Sequence, residues 1–138
     1  AQRGVGLMFQ DPLLFPHMSV GDNLAFGLTA ARSGRAKRLQ AVLDALHECG
    51  LDDFAERDPA SLSGGQKARV ALMRALLAAP KMLLLDEAFG SLDPELRQTF
   101  GKFVASQVAA RQIPALLVSH DIGDKSLTSG ATIKLSSP

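Results

Sequence analysis

Three short apolar segments alternate along the chain with longer segments in which apolar residues recur every three or four positions. The apolar segments are GVGLMFQ at residues 4–10, KMLLLDE at 81–87 and IPALLVSHD at 113–121. A continuous apolar run of this length that ends in polar residues is typical of a strand buried on both faces of a parallel sheet. A fourth run, ATIKL at 131–135, predicts a last short strand.

Residues 19–80 show helical spacing instead. In the segment SVGDNLAFGL, Ser19 is placed to cap a helix. Asp22 stands three residues beyond it, where its side chain can accept a hydrogen bond from the backbone N–H of Ser19 in return. The apolar positions of this helix are Val20, Leu24 and Leu28.

The segment KRLQAVLDALHECGL repeats the helical pattern over residues 37–51 and reaches a typical C-terminal stop at Gly50. Its predicted buried face consists of Leu39, Val42, Leu43 and Leu46.

A further helix is predicted between the second and third strands. Asp93 would cap it, and Pro94 would take its first position, where the missing N–H is not needed. Strand, helix and strand in this order favour a right-handed parallel βαβ unit, and so an α/β fold with a parallel sheet. The buried stripe of the helix would consist of Leu96, Phe100, Phe103 and Val104.

The composition of the chain limits the classes of partner that it is expected to bind. A chain of 138 residues with 46% hydrophobic content is long enough for one domain with a core. Its 15 basic residues nearly balance 14 acidic ones, so the net charge indicates neither nucleic acid nor an anionic membrane as a partner.

The single cysteine, Cys49, fits a reducing compartment and is predicted to lie in the core. No apolar run approaches the roughly 20 residues that span a bilayer, so any membrane role is predicted to be peripheral.

The segment SLSGGQKARVALMRALLAAP at residues 61–80 begins with a hydroxyl residue and two glycines before a long helical pattern. Exposed N–H groups and the positive end of a helix dipole are suited to holding a phosphate. An ordinary helix start capped by Ser63 is the alternative. No lysine loop of the form GxxxxGK[ST] occurs in the 138 residues, so the chain carries half of a phosphate site.

Polar side chains follow the first three predicted strands. Gln10 follows the first, Asp86 and Glu87 close the second, and His120 follows the third. The carboxyl ends of parallel strands form one edge of the sheet, where ligands bind. Because side chains alternate along a strand, one acid could hold a hydrated magnesium ion while the other faces an attacking water. Alternatively, the acids form a solvated strand end and the histidine is structural.

Taken together, these residues resemble the motifs of ABC-type ATPases. LSGGQ at residues 62–66 resembles the signature sequence, MLLLDE at 82–87 the Walker B strand and SLD at 91–93 the D-loop. His120 resembles the switch histidine, and Gln10 the Q-loop glutamine. Five motifs in the family's order are far more specific than any one of them.

The resemblance implies a three-layer fold like that of P-loop NTPases, with a partial parallel sheet and an inserted helical subdomain that carries the signature. Residues 1–18 would hold a core strand and the Q-loop, residues 19–80 the helical subdomain, and residues 81–138 the Walker B, D-loop and H-loop part. The segment FQDPLLFPHMSVGDNLAFGL, residues 9–28, is similar to the importer branch, whose members serve small-solute uptake.

The resemblance also implies that two nucleotide-binding domains close head to tail, so that the signature of one covers ATP held by the other. The nucleotide-binding residues on this side would be Ser63, Gly64, Gly65 and Gln66, with Asp93 sensing the opposite subunit.

Within one domain, Glu87 would orient and deprotonate the attacking water, and His120 would contact the γ-phosphate. Asp86 would bind Mg²⁺ through water, and Gln10 would complete that shell and report on it to a membrane partner. The implied partners are a second nucleotide-binding domain, an integral membrane permease and a solute-binding protein, on the cytoplasmic face of the cell membrane.

Two departures from the family pattern are Ala88, where proline is usual, and Gly90, where serine is frequent. The absent lysine loop predicts a truncated domain whose sheet is left uncovered on the His120 side.

Two alternative functions remain: an ATPase of DNA repair or chromosome organisation, and a remnant that does not turn over ATP. Only 51 residues separate Gln10 from Leu62, without the long coiled coil typical of the former class.

Overall fold

The computed structural model describes residues 4–28 and 34–134, which fold into helices packed against a small sheet. The elements in chain order are β1 (Val5–Phe9), α1 (Val20–Phe26), α2 (Arg35–Cys49), a 3₁₀ turn (Pro59–Ser61), α3 (Gly64–Leu77), β2 (Met82–Asp86), α4 (Pro94–Arg111), β3 (Ala115–Val118) and a 3₁₀ helix (Ile122–Leu127).

The sheet has three parallel strands in the order β1, β2, β3. Phe9 at the end of β1 lies opposite Asp86 at the end of β2, and Asp86 lies opposite Val118 at the end of β3. The carboxyl ends of all three strands therefore meet at one edge. The predicted α/β fold with a partial parallel sheet is confirmed, as are the three strands themselves.

The fourth predicted strand is wrong. Residues 131–134 form no strand, and Leu135 lies outside the described residues. Ile133 is 83% exposed and so buries almost none of its surface. A short apolar run becomes a strand only where a neighbouring strand satisfies its N–H and C=O groups, and none pairs with this run in the described sheet.

The face that α2 buries also differs from the prediction. Val42 and Leu46 are buried, but Leu39 and Leu43 are 58% and 41% exposed. Two helical stripes overlap in this sequence, and the one with small residues is the one buried, because alanines let neighbouring helices approach closely. The buried positions are Ala41, Val42, Ala45, Leu46 and Cys49.

The predicted starts of α1 and α4 and the predicted end of α2 are confirmed by their caps. Helix α1 ends at Phe26, so Leu28 lies beyond it, and among the described residues Asp22 makes no return hydrogen bond to Ser19. Ser19 accepts a hydrogen bond from the backbone N–H of Asp22 at 3.1 Å, and α2 ends at Gly50 in the left-handed conformation. Asp93 caps α4 by accepting from the N–H of Leu96 at 2.9 Å. Within the described ranges, no helix combines the length and apolar character needed to cross a membrane.

The core contains Cys49, as predicted. Its side chain is buried, and this burial raises the pKa of the thiol to about 12. Cys49 therefore contributes to packing and has no reactive thiolate at neutral pH.

Candidate functional site

The ends of β1 and β2 form a cleft of about 350 Å³ that collects three of the residues predicted from the sequence. Gln10, Asp86 and Glu87 line it. Their proximity follows from the register, because Phe9 and Asp86 are paired across the sheet and the next residue of each strand leaves at the same edge. The remaining lining residues are Phe9, Asp11 and Leu13.

Glu87 is fixed in position by its backbone and by its carboxylate. Its N–H donates to the carbonyl oxygen of Val118 at 2.9 Å, which extends the pairing of β2 with β3 by one residue. Its φ of 53° is in the left-handed region, which non-glycine residues seldom adopt. A residue held in this way next to a cleft is typical of a functional position.

The carboxylate of Glu87 makes two contacts with His120, 33 residues along the chain. Oε1 accepts from the backbone N–H of His120 at 3.0 Å, and Oε2 lies 2.8 Å from Nδ1. Because an ionised carboxylate can only accept, Nδ1 carries the proton, and Nε2 remains available to a ligand. The sequence predicted that both residues lie at one edge, and the structure joins them directly.

This contact also affects titration. The hydrogen bond to Glu87, followed by the charges of Glu87 and Asp121, raises the pKa of His120 above its ordinary value of 6.5. His120 thus keeps its proton to a higher pH than a free histidine does. His47 is a second case, because a hydrogen bond to Asp52 at 2.7 Å raises its pKa as well.

We predict that Glu87→Gln lowers the pKa of His120 toward the ordinary value, because the neutral amide no longer stabilises the imidazolium ion. The measurement is an NMR titration of the histidine ring protons of this chain. His47 is the internal control, since its partner Asp52 is unchanged and its raised pKa should persist. An unaltered His120 pKa in the variant would contradict the contact.

Gly90 gives Gln10 room to lie against the loop after β2. A Cβ at Gly90 would stand 3.0 Å from Nε2 of Gln10 and 3.3 Å from the carbonyl oxygen of Glu87. Ser91 Oγ donates to the carbonyl oxygen of Gln10 at 3.0 Å. A side chain at position 90 would therefore press on the end of the Gln10 side chain, and Ser91 makes a contact with Gln10 that the motif did not predict.

The oxygen atoms of this cleft suit a hard divalent cation. The cleft is lined by one amide and three acidic side chains, which offer oxygen ligands that Mg²⁺ accepts, usually together with water and phosphate oxygens. The described residues contain no group of three or more histidine, cysteine or acidic side chains arranged to hold a metal by themselves. The cleft thus fits magnesium bound jointly with a phosphate ligand, and does not fit a closed structural metal site.

The segment LSGGQ begins α3 with a complete capping box. Ser63 Oγ accepts from the N–H of Gln66 at 3.3 Å, and Oε1 of Gln66 accepts from the N–H of Ser63 at 2.9 Å. A Cβ at Gly64 would touch only Cδ2 of Leu92, at 3.9 Å, whereas one at Gly65 would lie 3.1 Å from Cδ2 of Leu96. Packing within the chain therefore does not require glycine at position 64.

The structure does not join the start of α3 to the cleft. Among the described residues, no hydrogen bond links Ser63 or Gln66 to Asp86 or Glu87. Asp93 likewise uses its carboxylate to cap α4 in its own chain. The predicted site therefore consists of two separate parts in a single chain.

A further group holds the segment around His120, and sequence reasoning missed it. Arg97 on α4 pairs with Asp121 and Asp124, and Asp124 is buried and accepts from Ser119 Oγ at 2.6 Å. Hydrogen bonds from the Gly123 N–H and from Arg97 lower the pKa of Asp121. The sequence shows an arginine in the first turn of α4 and two acidic residues just after the histidine. Local sequence patterns do not predict that these residues pair.

Comparison with known proteins agrees with these motifs. A family model described as ABC transporter matches residues 1–90. YnjD of Escherichia coli strain K12, described as an uncharacterized ABC transporter ATP-binding protein, is 55% identical over 124 residues, which cover 90% of this chain and 57% of YnjD. FbpC of Pseudomonas fluorescens strain Pf0-1, described as an Fe(3+) ions import ATP-binding protein, is 46% identical over 125 residues, which cover 89% of this chain and 35% of FbpC.

A solved structure shares the fold. It is the dimeric post-hydrolysis state of the ATP-binding cassette MJ0796 bound to ADP and Pi, with a TM-score of 0.75 and 26% identity over 91% of this chain and 56% of that one. The chain thus spans little more than half of the length of YnjD and of this cassette. From the matching family model and these relatives, the chain belongs to the ABC transporter family.

Proposed function

We propose that this chain forms part of the ATP-hydrolysing subunit of an ABC importer for a small solute. The observation that carries the proposal is the Glu87–His120 pair beside Gln10 and Asp86 at the carboxyl edge of the sheet. Import is supported by the printed function of FbpC, and the solute is left open. We also propose that residues 19–80 act as a helical subdomain inserted into the domain.

Each strand-end residue then has a role in hydrolysis. Glu87 orients the attacking water and accepts its proton, and His120 donates from Nε2 to the γ-phosphate while Glu87 holds the ring through Nδ1. Asp86 and Gln10 would hold Mg²⁺ through water, and the ion would supply charge neutralisation at the phosphate oxygens.

The start of α3 would act on ATP held by a second copy of the domain. The open space at Gly64 supports this role, because it leaves the first N–H groups of α3 accessible to a phosphate. Ser63, Gly64, Gly65 and Gln66 would cover the γ-phosphate, and Asp93 would lie near the same interface.

The subunit would work beside an integral membrane permease, on the cytoplasmic face of the cell membrane, with a solute-binding protein outside. FbpC is described as an import ATP-binding protein, and this is the support for these partners. Neither charge nor motif indicates a nucleic acid as a further ligand.

We predict that Gly64→Ala leaves folding intact and lowers ATP turnover by roughly tenfold or more in an intact subunit that contains this chain and a lysine loop, as the loss of one phosphate contact does. Alanine favours the helix over glycine and meets only Leu92 at 3.9 Å, so the melting temperature should be unchanged or higher. The added methyl group would instead hold the partner's phosphate away. Gly130→Ala, also in open space, is the control.

Mixed dimers test whether the signature acts across the interface. Gly64→Ala and Glu87→Gln subunits should each be defective alone, yet together form one site with an intact glutamate from the first and an intact signature from the second. Partial recovery of phosphate release on mixing supports the trans arrangement. No recovery, or loss of ATP binding by monomeric Gly64→Ala, contradicts it.

A further inference from the structure

Helix α4 supports the segment that carries His120, in addition to the bonds that this residue makes with Glu87. We call residues 119–127 the histidine segment. Arg97, in the first turn of α4, donates from Nη1 to the carboxylates of Asp121 and Asp124, the latter at 3.3 Å. Both acids come shortly after His120 in the chain. The histidine segment is therefore fixed to α4 as well as to the end of β2.

Hydrogen bonds inside the histidine segment extend this support to both neighbours of His120. Oγ of Ser119 donates to Oδ2 of Asp124 at 2.6 Å and accepts from the backbone N–H of Asp121 at 3.0 Å. Ser119, which precedes His120, and Asp121, which follows it, are thus both connected to Arg97. The backbone of His120 cannot move far from α4 without breaking one of these bonds.

An apolar contact one turn further along α4 fixes the other end of the histidine segment. A Cβ at Gly101 would lie 2.7 Å from Cδ2 of Leu127, so the 3₁₀ helix packs directly on the backbone of α4. Arg97 and Gly101 are four residues apart and therefore share one face of the helix. Strand β3 pairs only with β2 in the described sheet, and Val118 at its end is exposed. Strand pairing thus holds His120 from one side, and α4 supplies the second support.

Stability alone does not account for this charged group. The side chains of Arg97 and Asp124 are 22% and 5% exposed, and Nε of Arg97 is buried without a partner among the described residues. Removing charges from water is costly, and buried ion pairs often stabilise a fold no better than apolar side chains of the same volume. An unpaired buried donor adds to that cost. The group therefore indicates a requirement for one geometry next to the site.

We propose that Arg97 is a positioning residue that sets where the His120 ring meets the phosphate. The proposal rests on the proposed function, in which Nε2 of His120 donates to the γ-phosphate while Glu87 holds Nδ1. Glu87 orients the ring, and Arg97 fixes the backbone from which the ring projects. A backbone shift of about 1 Å would lengthen the bond from Nε2, and a misplacement of this size can lower turnover about a hundredfold.

Hydrogen exchange of this chain, followed by NMR, tests the positioning without nucleotide. The N–H of His120 donates to Oε1 of Glu87 at 3.0 Å, and in Arg97→Gln it should exchange roughly tenfold faster, because a neutral amide holds the two carboxylates less well. The internal reference is the N–H of Leu83, which donates to the carbonyl oxygen of Pro114 at 2.9 Å and should be unchanged. Equal acceleration at both amides would show a general loss of stability and overturns the proposal, as does unchanged exchange at His120.

Arg111→Gln is the matched control on the same helix. Arg111 also pairs with an acid, Glu48 at 3.4 Å, also donates to a second side chain, Gln107, and is 27% exposed. It lies about 20 Å further along α4, away from the histidine segment. Exchange at His120 should therefore keep its wild-type rate in this variant. Acceleration as large as in the Arg97 variant would assign the effect to α4 as a whole and overturns the specific role.

A second variant tests whether Arg97 acts through its acidic partner. Asp124→Asn removes the charge that Arg97 contacts and keeps the shape of the side chain. Because both substitutions break the same ion pair, the double variant should accelerate exchange at His120 by less than the product of the two single effects. A full product of the two effects would show independent actions and contradicts the proposal.

The consequence for catalysis is measured in an intact subunit that contains this chain and a lysine loop. Arg97→Gln should lower kcat roughly tenfold or more and leave the KM for ATP within about twofold, because the lysine loop supplies most of the binding. Arg111→Gln should keep both constants. A kcat within about twofold of wild type in the Arg97 variant overturns the proposal. If the wild-type subunit hydrolyses no ATP, the proposed function fails, and the exchange rates still decide whether Arg97 fixes the position of His120.

Discussion

An intact subunit carrying Glu87→Gln is expected to lose ATP turnover by about 10²- to 10⁴-fold, the contribution of a positioned general base. The amide keeps the size of the carboxylate but cannot accept a proton from water. It also no longer stabilises a protonated Nδ1 of His120, because the carboxylate oxygen at 2.8 Å is replaced by either a donor or a weaker acceptor. Chemistry stops while ATP remains bound, so a closed dimer should accumulate.

Size-exclusion chromatography with ATP and magnesium, together with phosphate release, measures both effects. Asp86→Asn is the matched control, because it removes the neighbouring carboxylate of the same cleft. That variant should weaken magnesium-dependent nucleotide binding and should not trap a dimer. Turnover of Glu87→Gln within about tenfold of wild type would show that the base lies elsewhere.

The second large effect concerns the 138 residues by themselves, which we expect neither to bind ATP tightly nor to hydrolyse it. In the sequence no GxxxxGK[ST] loop is present to surround the β- and γ-phosphates, and that loop supplies most of the contacts to nucleotide in such domains. The cleft of about 350 Å³ offers one amide and three acidic side chains toward a polyanion, with no basic residue among its lining. Charge repulsion therefore opposes binding.

Calorimetric titration with ATP and magnesium, beside a phosphate-release assay, measures this directly. The same chain joined to a lysine loop is the positive control and should bind. Micromolar affinity of the 138 residues, or steady turnover free of contaminating ATPase, would mean that they hold phosphate through a site other than the one described.

The sequence alone was sufficient to predict those features of the fold whose signals are local. The caps at Ser19 and Asp93 and the stop at Gly50 depend on side chains within three residues of a helix end, so they can be predicted without knowledge of the fold. The three strands were predictable because each is a continuous apolar run. Their alignment then placed Gln10 and Asp86 at one edge.

Packing choices and long-range contacts were not predictable. Leu39 and Leu43 share a helical stripe with Val42, and only the close approach of neighbouring helices decided that the alanine stripe is buried. The bond between Glu87 and His120 depends on how β3 pairs with β2, and the bond from Ser91 to Gln10 spans 81 residues. Such pairs leave no periodic trace in a single sequence.

Cys49 has a practical consequence for measuring motion in this domain. It is the one cysteine of the sequence, and its thiol has a pKa of about 12 inside the core. At pH 8 such a thiol is ionised in about one molecule in ten thousand, so it is nearly inert to maleimides and other thiol reagents. A cysteine introduced on the exposed side of α2, as in Leu39→Cys, would therefore be labelled selectively by a fluorophore or spin label. The wild-type Cys49 need not be replaced first.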